Sequence, residues 1–137
     1  MTLRIVRLGE PRHAREGTRV GTVRRPPRGV RKQDYARANW YDVWFPNLAP
    51  SVETMKLGQQ AESAAQWSVF VRRYRAEMAT PENSHSIALL AALSQNTNFS
   101  VGCYCEQEEH CHRSVLRELL ARAGAQLDPP ALTGSGD

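Results

Sequence analysis

The second half of the chain alternates helix and strand patterns, and this order narrows the fold more than any other feature. From roughly Ala61 to Met78, the residues Trp67, Phe70, Val71, Tyr74 and Met78 recur at helical spacing on one face. Pro81 ends that element. A second helix is expected from about Ser84 to Leu93, with Asn83 or Ser84 as cap and Ile87, Leu90 and Leu93 facing inward. Asn96 and Asn98 mark a turn into the short strand Phe99-Ser100-Val101-Gly102-Cys103. A last helix, Ser114 to Ala123, buries Val115, Leu116, Leu119, Leu120 and Ala123 and closes at Gly124. Helix, strand and helix in succession predict an α/β fold: a single compact layered domain with a small, partly parallel sheet flanked by helices.

The first half adds two shorter strand patterns. Leu3, Ile5, Val6 and Leu8 form one, broken at Gly9-Glu10-Pro11, and Arg19-Val20-Gly21-Thr22-Val23 forms the other. Pro26 and Pro27 cannot join a central ladder, so residues 24–29 are a loop. Residues 40–51, rich in Trp40, Tyr41, Trp44 and Phe45, read as irregular but ordered, since aromatic side chains gain from burial. The domain is expected over residues 1–127, with residues 128–137 as a disordered tail.

Charge is unevenly spread. Residues 1–40 hold eleven Arg or Lys against three acids, while residues 41–137 hold seven against eleven. The basic first third therefore faces either solvent or something anionic, such as a nucleotide, a nucleic acid or an acidic partner. No apolar run approaches the ~20 residues that span a bilayer. The amino-terminal residues lack the longer apolar core of a secretion signal. Three clustered cysteines do not make a disulfide scaffold. A cytoplasmic protein with no membrane partner is the expectation.

The chemistry concentrates between Gly102 and Arg113, which contains all three cysteines, two of the four histidines and three glutamates. This stretch joins the carboxyl end of a strand to the amino end of a helix, where ligands of α/β proteins commonly sit. Cys111, His112 and Arg113 fall at or before the helix start. Backbone N–H groups there favour an anion and would lower a thiol pKa. In this reading Cys111 is the nucleophile, His112 its proton partner and Arg113 an anion clamp, with Cys103 beside them. The spacing excludes a phosphatase-type loop, which needs five residues between cysteine and arginine; here there are seven after Cys105 and one after Cys111.

Two other readings use the same residues. Cys103, Cys105, Cys111 and His112 form a Cys₃His set of the type zinc accepts, although C-x-C spacing and an adjacent Cys-His are unusual for zinc. Cysteine is also a small buried hydrophobe, and Cys103, in line with Phe99 and Val101, fits that description. His110 reads as an exposed loop residue, and Glu106 as a partner for Arg113 or for a loop arginine.

Several separate blocks, in order, resemble the domain of unknown function 488 family, including its YeaO-like branch. They are Gly17-Thr18-Arg19-Val20, Arg24 with Pro27-Arg28-Gly29, Lys32, Trp44 with Ala49-Pro50-Ser51, then Trp67, Phe70, Tyr74, Glu77 and Met78, and finally Gly102-Cys103 and Cys111-His112-Arg113. The resemblance covers residues 17–124. It implies a compact α/β domain in which the arginine loop and the Cys-His-Arg motif converge on one pocket. Two positions depart from the family pattern: Val23 replaces an acid and Pro26 a tryptophan. The expected ligand is anionic, a nucleotide or nucleic acid, with Arg19, Arg24, Arg28 and Lys32 binding it opposite Cys103, Cys111, His112 and Arg113. A non-catalytic nucleic-acid-binding module and a structural metal site are the alternatives.

Overall fold

All four strands of the computed structural model run parallel, in the order β1-β4-β2-β3. The structure describes residues 1–128. The strands are β1 (Leu3–Arg7), β2 (Thr18–Gly21), β3 (Val43–Trp44) and β4 (Phe99–Cys103), and the helices are α1 (Val52–Gln59), α2 (Ala64–Met78), α3 (Pro81–Leu93) and α4 (His112–Arg122). The mixed α/β class and the layered arrangement follow the sequence pattern, and the sheet is more uniformly parallel than expected.

β4 lies between β1 and β2, pairing Leu3 with Phe99, Arg7 with Cys103, Thr18 with Phe99 and Gly21 with Gly102. Strands on both sides and helices over the sheet bury all five of its residues. That is why it reads as a continuous small and apolar run rather than an alternating one. At Gly102 a Cβ would fall 2.7 Å from the Val6 carbonyl oxygen, so this close neighbour strand excludes any side chain.

One core fills the space between sheet and helices. Leu3, Val101, Leu48, Leu116 and Leu120 are completely buried there, with Phe70, Tyr74 and Met78 contributed by α2. Fully burying such a side chain is worth about 1.5–3 kcal/mol. Tyr74, also fully buried, donates its hydroxyl to the Leu48 carbonyl at 2.7 Å, so its polar end carries no desolvation penalty.

The differences from the expected elements have local causes. Pro81 does lie beyond the end of α2, but it is also the first residue of α3, where its missing N–H costs nothing; Thr80, rather than Asn83 or Ser84, is the cap. Ala91 joins Ile87 on the buried face of α3, and Leu93 is 42% exposed. α4 begins two residues early, at His112, and Leu119 and Ala123 lie outside its buried stripe. Within residues 40–51, Val43–Trp44 pairs with β2 as a short edge strand. Tyr41 is buried, whereas Trp44 is 44% exposed and donates its indole N–H to the Val23 carbonyl.

α1 went unread because Val52–Gln59 has little apolar periodicity. Tertiary contacts hold it: Glu77 accepts from the Ser51 N–H, the Ser51 hydroxyl and the Thr54 hydroxyl at 2.7–2.9 Å. Gly58 lets α1 approach α2 closely, since a Cβ there would lie 2.8 Å from the Phe70 ring. Of the expected tail, Asp128 is tied back to the sheet by its N–H on the Leu3 carbonyl and by an ion pair with Arg4. Residues 129–137 lie outside the described residues. Among the described residues, no helix is long and apolar enough to cross a membrane.

Candidate functional site

The carboxyl end of β4 meets the amino end of α4, and all three cysteines gather there. Cys103 ends the strand, Cys111 is the residue that caps α4, and the 104–110 loop returns Cys105 over both. Leu8, Val23 and Tyr41 pack around Cys103 and Cys111, which are 4% and 2% exposed. Cys105 is exposed. The three thiols therefore form a stack from buried to open.

Distances within the stack are short. The Cys103 and Cys111 sulfurs lie 2.9 Å apart, and the Cys105 N–H donates to the Cys103 sulfur at 3.4 Å. His112, buried in the first turn of α4, has Nε2 2.8 Å from the Thr22 carbonyl and Nδ1 3.7 Å from the Cys111 sulfur. A carbonyl only accepts, so Nε2 carries the proton and the Nδ1 lone pair faces Cys111. Burial holds the imidazole pKa down to about 4, against the raising effect of the Thr22 carbonyl and the Cys105 charge. At neutral pH His112 is an uncharged base.

The thiols do not share one acidity. Hydrogen bonds from Cys103 and Cys111, with the nearby His112 and Arg113, pull Cys105 well below the usual thiol range despite partial burial. Its hydrogen bond to Cys105, then that to Cys111, and burial push Cys103 up. For Cys111 the bond with Cys103 lowers the value, but the bond with Cys105, burial and the Cys105 charge together raise it. The most acidic thiol of the cluster is thus Cys105, the outermost sulfur.

Arg113 approaches from behind. It is 3% exposed, donates through Nη2 to the Cys105 carbonyl at 2.7 Å, and leaves its Nε–H without a partner. Glu106 does not pair with it; that carboxylate lies 4.0 Å from Arg7.

The cluster opens into a cavity of about 300 Å³ whose lining is largely apolar, with Pro50, Met55, Trp67 and Phe70 facing the thiols. His110 stands at its edge, its ring 6.1 Å from that of Trp67. Arg24 and Arg25 reach the same cavity. Arg24 is fixed by donating to the Ala49 and Pro50 carbonyls, whereas Arg25 is exposed and has no carboxylate partner among the described residues.

The structure gathers Cys103, Cys111, His112 and Arg24 at this cavity and sets Arg113 behind it, but it does not bring Arg19, Arg28 or Lys32 there. Arg19 is 1% exposed and uses four of its five N–H groups: Nε and Nη2 donate to the Glu16 carboxylate, and Nη1 donates to the Glu10 and Asn39 carbonyls. It is a buried structural ion pair, sealed from any ligand in the cavity. Arg28 borders a separate groove, and Lys32 is exposed in a 3₁₀ turn. The sequence places Cys105 only in the candidate metal set and not among the catalytic residues, and Arg25 in no site; the one signal for either is its place beside a stronger motif.

As a donor set, Cys103, Cys111 and His112 present ligand atoms within 4.8 Å of one another. Two thiolates on one tetrahedral zinc stand about 3.8 Å apart, given Zn–S bonds of about 2.3 Å. The sulfurs, 2.9 Å apart, would have to separate by about 0.9 Å to share such an ion.

No curated protein and no solved structure matches the chain. A family model described as the active DUF488-N3 subclade matches residues 3–124, nearly the full length of the described residues. The chain belongs to the domain of unknown function 488 family.

Proposed function

We propose that the protein is a thiol-dependent enzyme acting on a phosphate-bearing ligand, a nucleotide or nucleic acid. The observation that carries this reading is the ordering of the thiols: one exposed sulfur with lowered pKa above two buried ones, beside a neutral histidine lone pair. Thiolate, not thiol, is the attacking species, so this reading assigns the nucleophile to Cys105 rather than to Cys111, the residue expected from the sequence. Its sulfur bonds to an electrophilic centre while the leaving group departs with the bonding pair and takes a proton from solvent. His112 Nδ1, an acceptor, holds the Cys111 S–H and so keeps the buried thiol in place beside Cys105. Arg113 stabilises the charge on Cys105, and Arg24 and Arg25 attract the phosphate at the rim. The description of the matching subclade as active agrees with an enzyme.

The test is residue-resolved alkylation. Wild-type protein treated with iodoacetamide at pH 6 is expected to form one fast adduct, located on Cys105 by peptide mass spectrometry. Cys105→Ser removes it, and Cys111→Ser slows it. Elemental analysis of protein purified without chelator accompanies the assay. About one zinc per chain with three slow thiols replaces this reading by a metal centre.

A further inference from the structure

The thiol cavity continues past its rim. Arg25 and Tyr104 line it and also border an open groove of about 1090 Å³. The Tyr104 hydroxyl donates to the Arg25 carbonyl at 2.9 Å, so these two residues form the ridge between cavity and groove. Beyond the ridge lie Arg7, Arg28 and Trp40.

Charge in the groove is unbalanced. Arg7 has Glu10 and Glu106 at 3.8 and 4.0 Å. Arg25 and Arg28 are exposed with no carboxylate partner among the described residues, and Pro26 and Pro27 stiffen the segment between them. Trp40 is half-buried and held in place. Its ring meets Tyr104 edge-on with centroids 5.8 Å apart, and Gly9, at φ 94°, passes so close that a Cβ would be 2.8 Å from the indole. A fixed indole next to free guanidinium groups is the combination that holds unpaired bases and tracks their phosphates.

We infer that this groove is the track of a single-stranded polynucleotide, with the reacting nucleotide crossing the Arg25–Tyr104 ridge into the thiol cavity. The inference rests on the thiol-enzyme reading and names its substrate class. A base paired inside a duplex cannot reach a recess with Cys103 and Cys111 at its floor. A mononucleotide seated in the cavity would leave the Arg28 and Trp40 groove unused. Both features favour an extended single strand.

Fluorescence anisotropy with labelled DNA and RNA strands of roughly 12 nucleotides tests this, a length within the site sizes of known single-strand-binding folds. The full chain is expected to bind the single strand more tightly than the matching duplex or a mononucleotide. Affinity should fall as salt rises, and Arg28→Ala should lower the slope of log affinity against log salt by about 0.7. Trp40→Ala should weaken binding at least about fivefold. Because the indole packs on Gly9, the fold of that variant is checked by circular dichroism; if it is lost, Arg28→Ala alone decides. Bound strand should also protect Cys105 of the wild type from iodoacetamide, and a mononucleotide at the same concentration should not.

No strand binding at low salt, equal binding of duplex, or affinity and salt slope unchanged in Arg28→Ala would overturn the groove while leaving fast Cys105 alkylation, and the thiol reading, intact. Strand binding without fast Cys105 alkylation would overturn the thiol reading and leave a non-catalytic strand-binding groove.

Discussion

Arg19 and Arg113 are both sealed from solvent, 1% and 3% exposed, yet their surroundings differ completely. Arg19 has Glu16 beneath it, bonded at 2.6 and 3.0 Å, and two carbonyls on its remaining nitrogen. Glu16 in turn accepts from Ser100 of β4 at 2.7 Å. This network ties the 10–19 loop, the central strand and the segment before β3 into one unit. Arg113 has one carbonyl, an idle Nε–H and three sulfurs for company. Burying a guanidinium without a carboxylate is costly, so its presence needs a use. The first arginine stabilises the fold; in the proposed reading the second holds charge for a thiolate.

The largest effect should come from breaking the satisfied pair. Arg19→Ala leaves Glu16 buried and unpaired, and urea denaturation should show a loss of about 3–5 kcal/mol. Glu16 also fixes a direction in pH. Burial would raise its pKa, but the hydrogen bonds of Arg19 and Ser100 and the charge of Arg19 bring it below 4.5. Its stabilisation is therefore present above the unfolded value and lost as pH falls through the folded one.

The next effect belongs to His112, whose folded pKa of about 4 lies below its ordinary 6.5. Between those values the unfolded chain binds the extra proton, so stability declines as pH falls from 6.5 towards 4. The linked loss is about 3 kcal/mol over that window. In His112→Asn the same titration should be nearly flat between pH 7 and 5. A wild-type curve already flat over that range would mean that His112 is not held neutral by burial.

The contrast between the two arginines also marks what the sequence can carry. α2 and α4 were legible because their stripes of apolar residues obey the helix period that burial enforces, and β1 and β4 because they are short apolar runs bounded by turn residues. α1 and β3 were not. Val52–Gln59 is helical because Glu77, more than twenty residues away, clamps its first turn, and Val43–Trp44 pairs on an exposed sheet edge. At the site, the clustering of Cys103, Cys105 and Cys111 was plain, but their depth order depends on how the 104–110 loop wraps, and no spacing rule encodes that. Arg19 stood in the basic third as one cation among eleven. Its partner Glu16 lies three residues away outside any helix, so the pattern gave no sign that this charge was already neutralised.

The smallest stability effect, and the sharpest separation of the two roles, is expected from Arg113→Met. Methionine keeps much of the buried volume and removes a charge with no carboxylate opposite it. Only the bond to the Cys105 carbonyl is lost, at about 1 kcal/mol. Stability should therefore change by roughly a quarter of the Arg19→Ala loss. The thiol should respond more strongly, because a positive charge beside Cys105 favours its thiolate. The pH midpoint for Cys105 alkylation should rise by at least about 1 pH unit. Arg113→Lys, which restores charge without the planar fork, should recover most of that midpoint. If Arg113→Met destabilised the chain as much as Arg19→Ala and left the alkylation midpoint unmoved, both arginines would be structural, and the charge on Cys105 would rest on the neighbouring thiols alone.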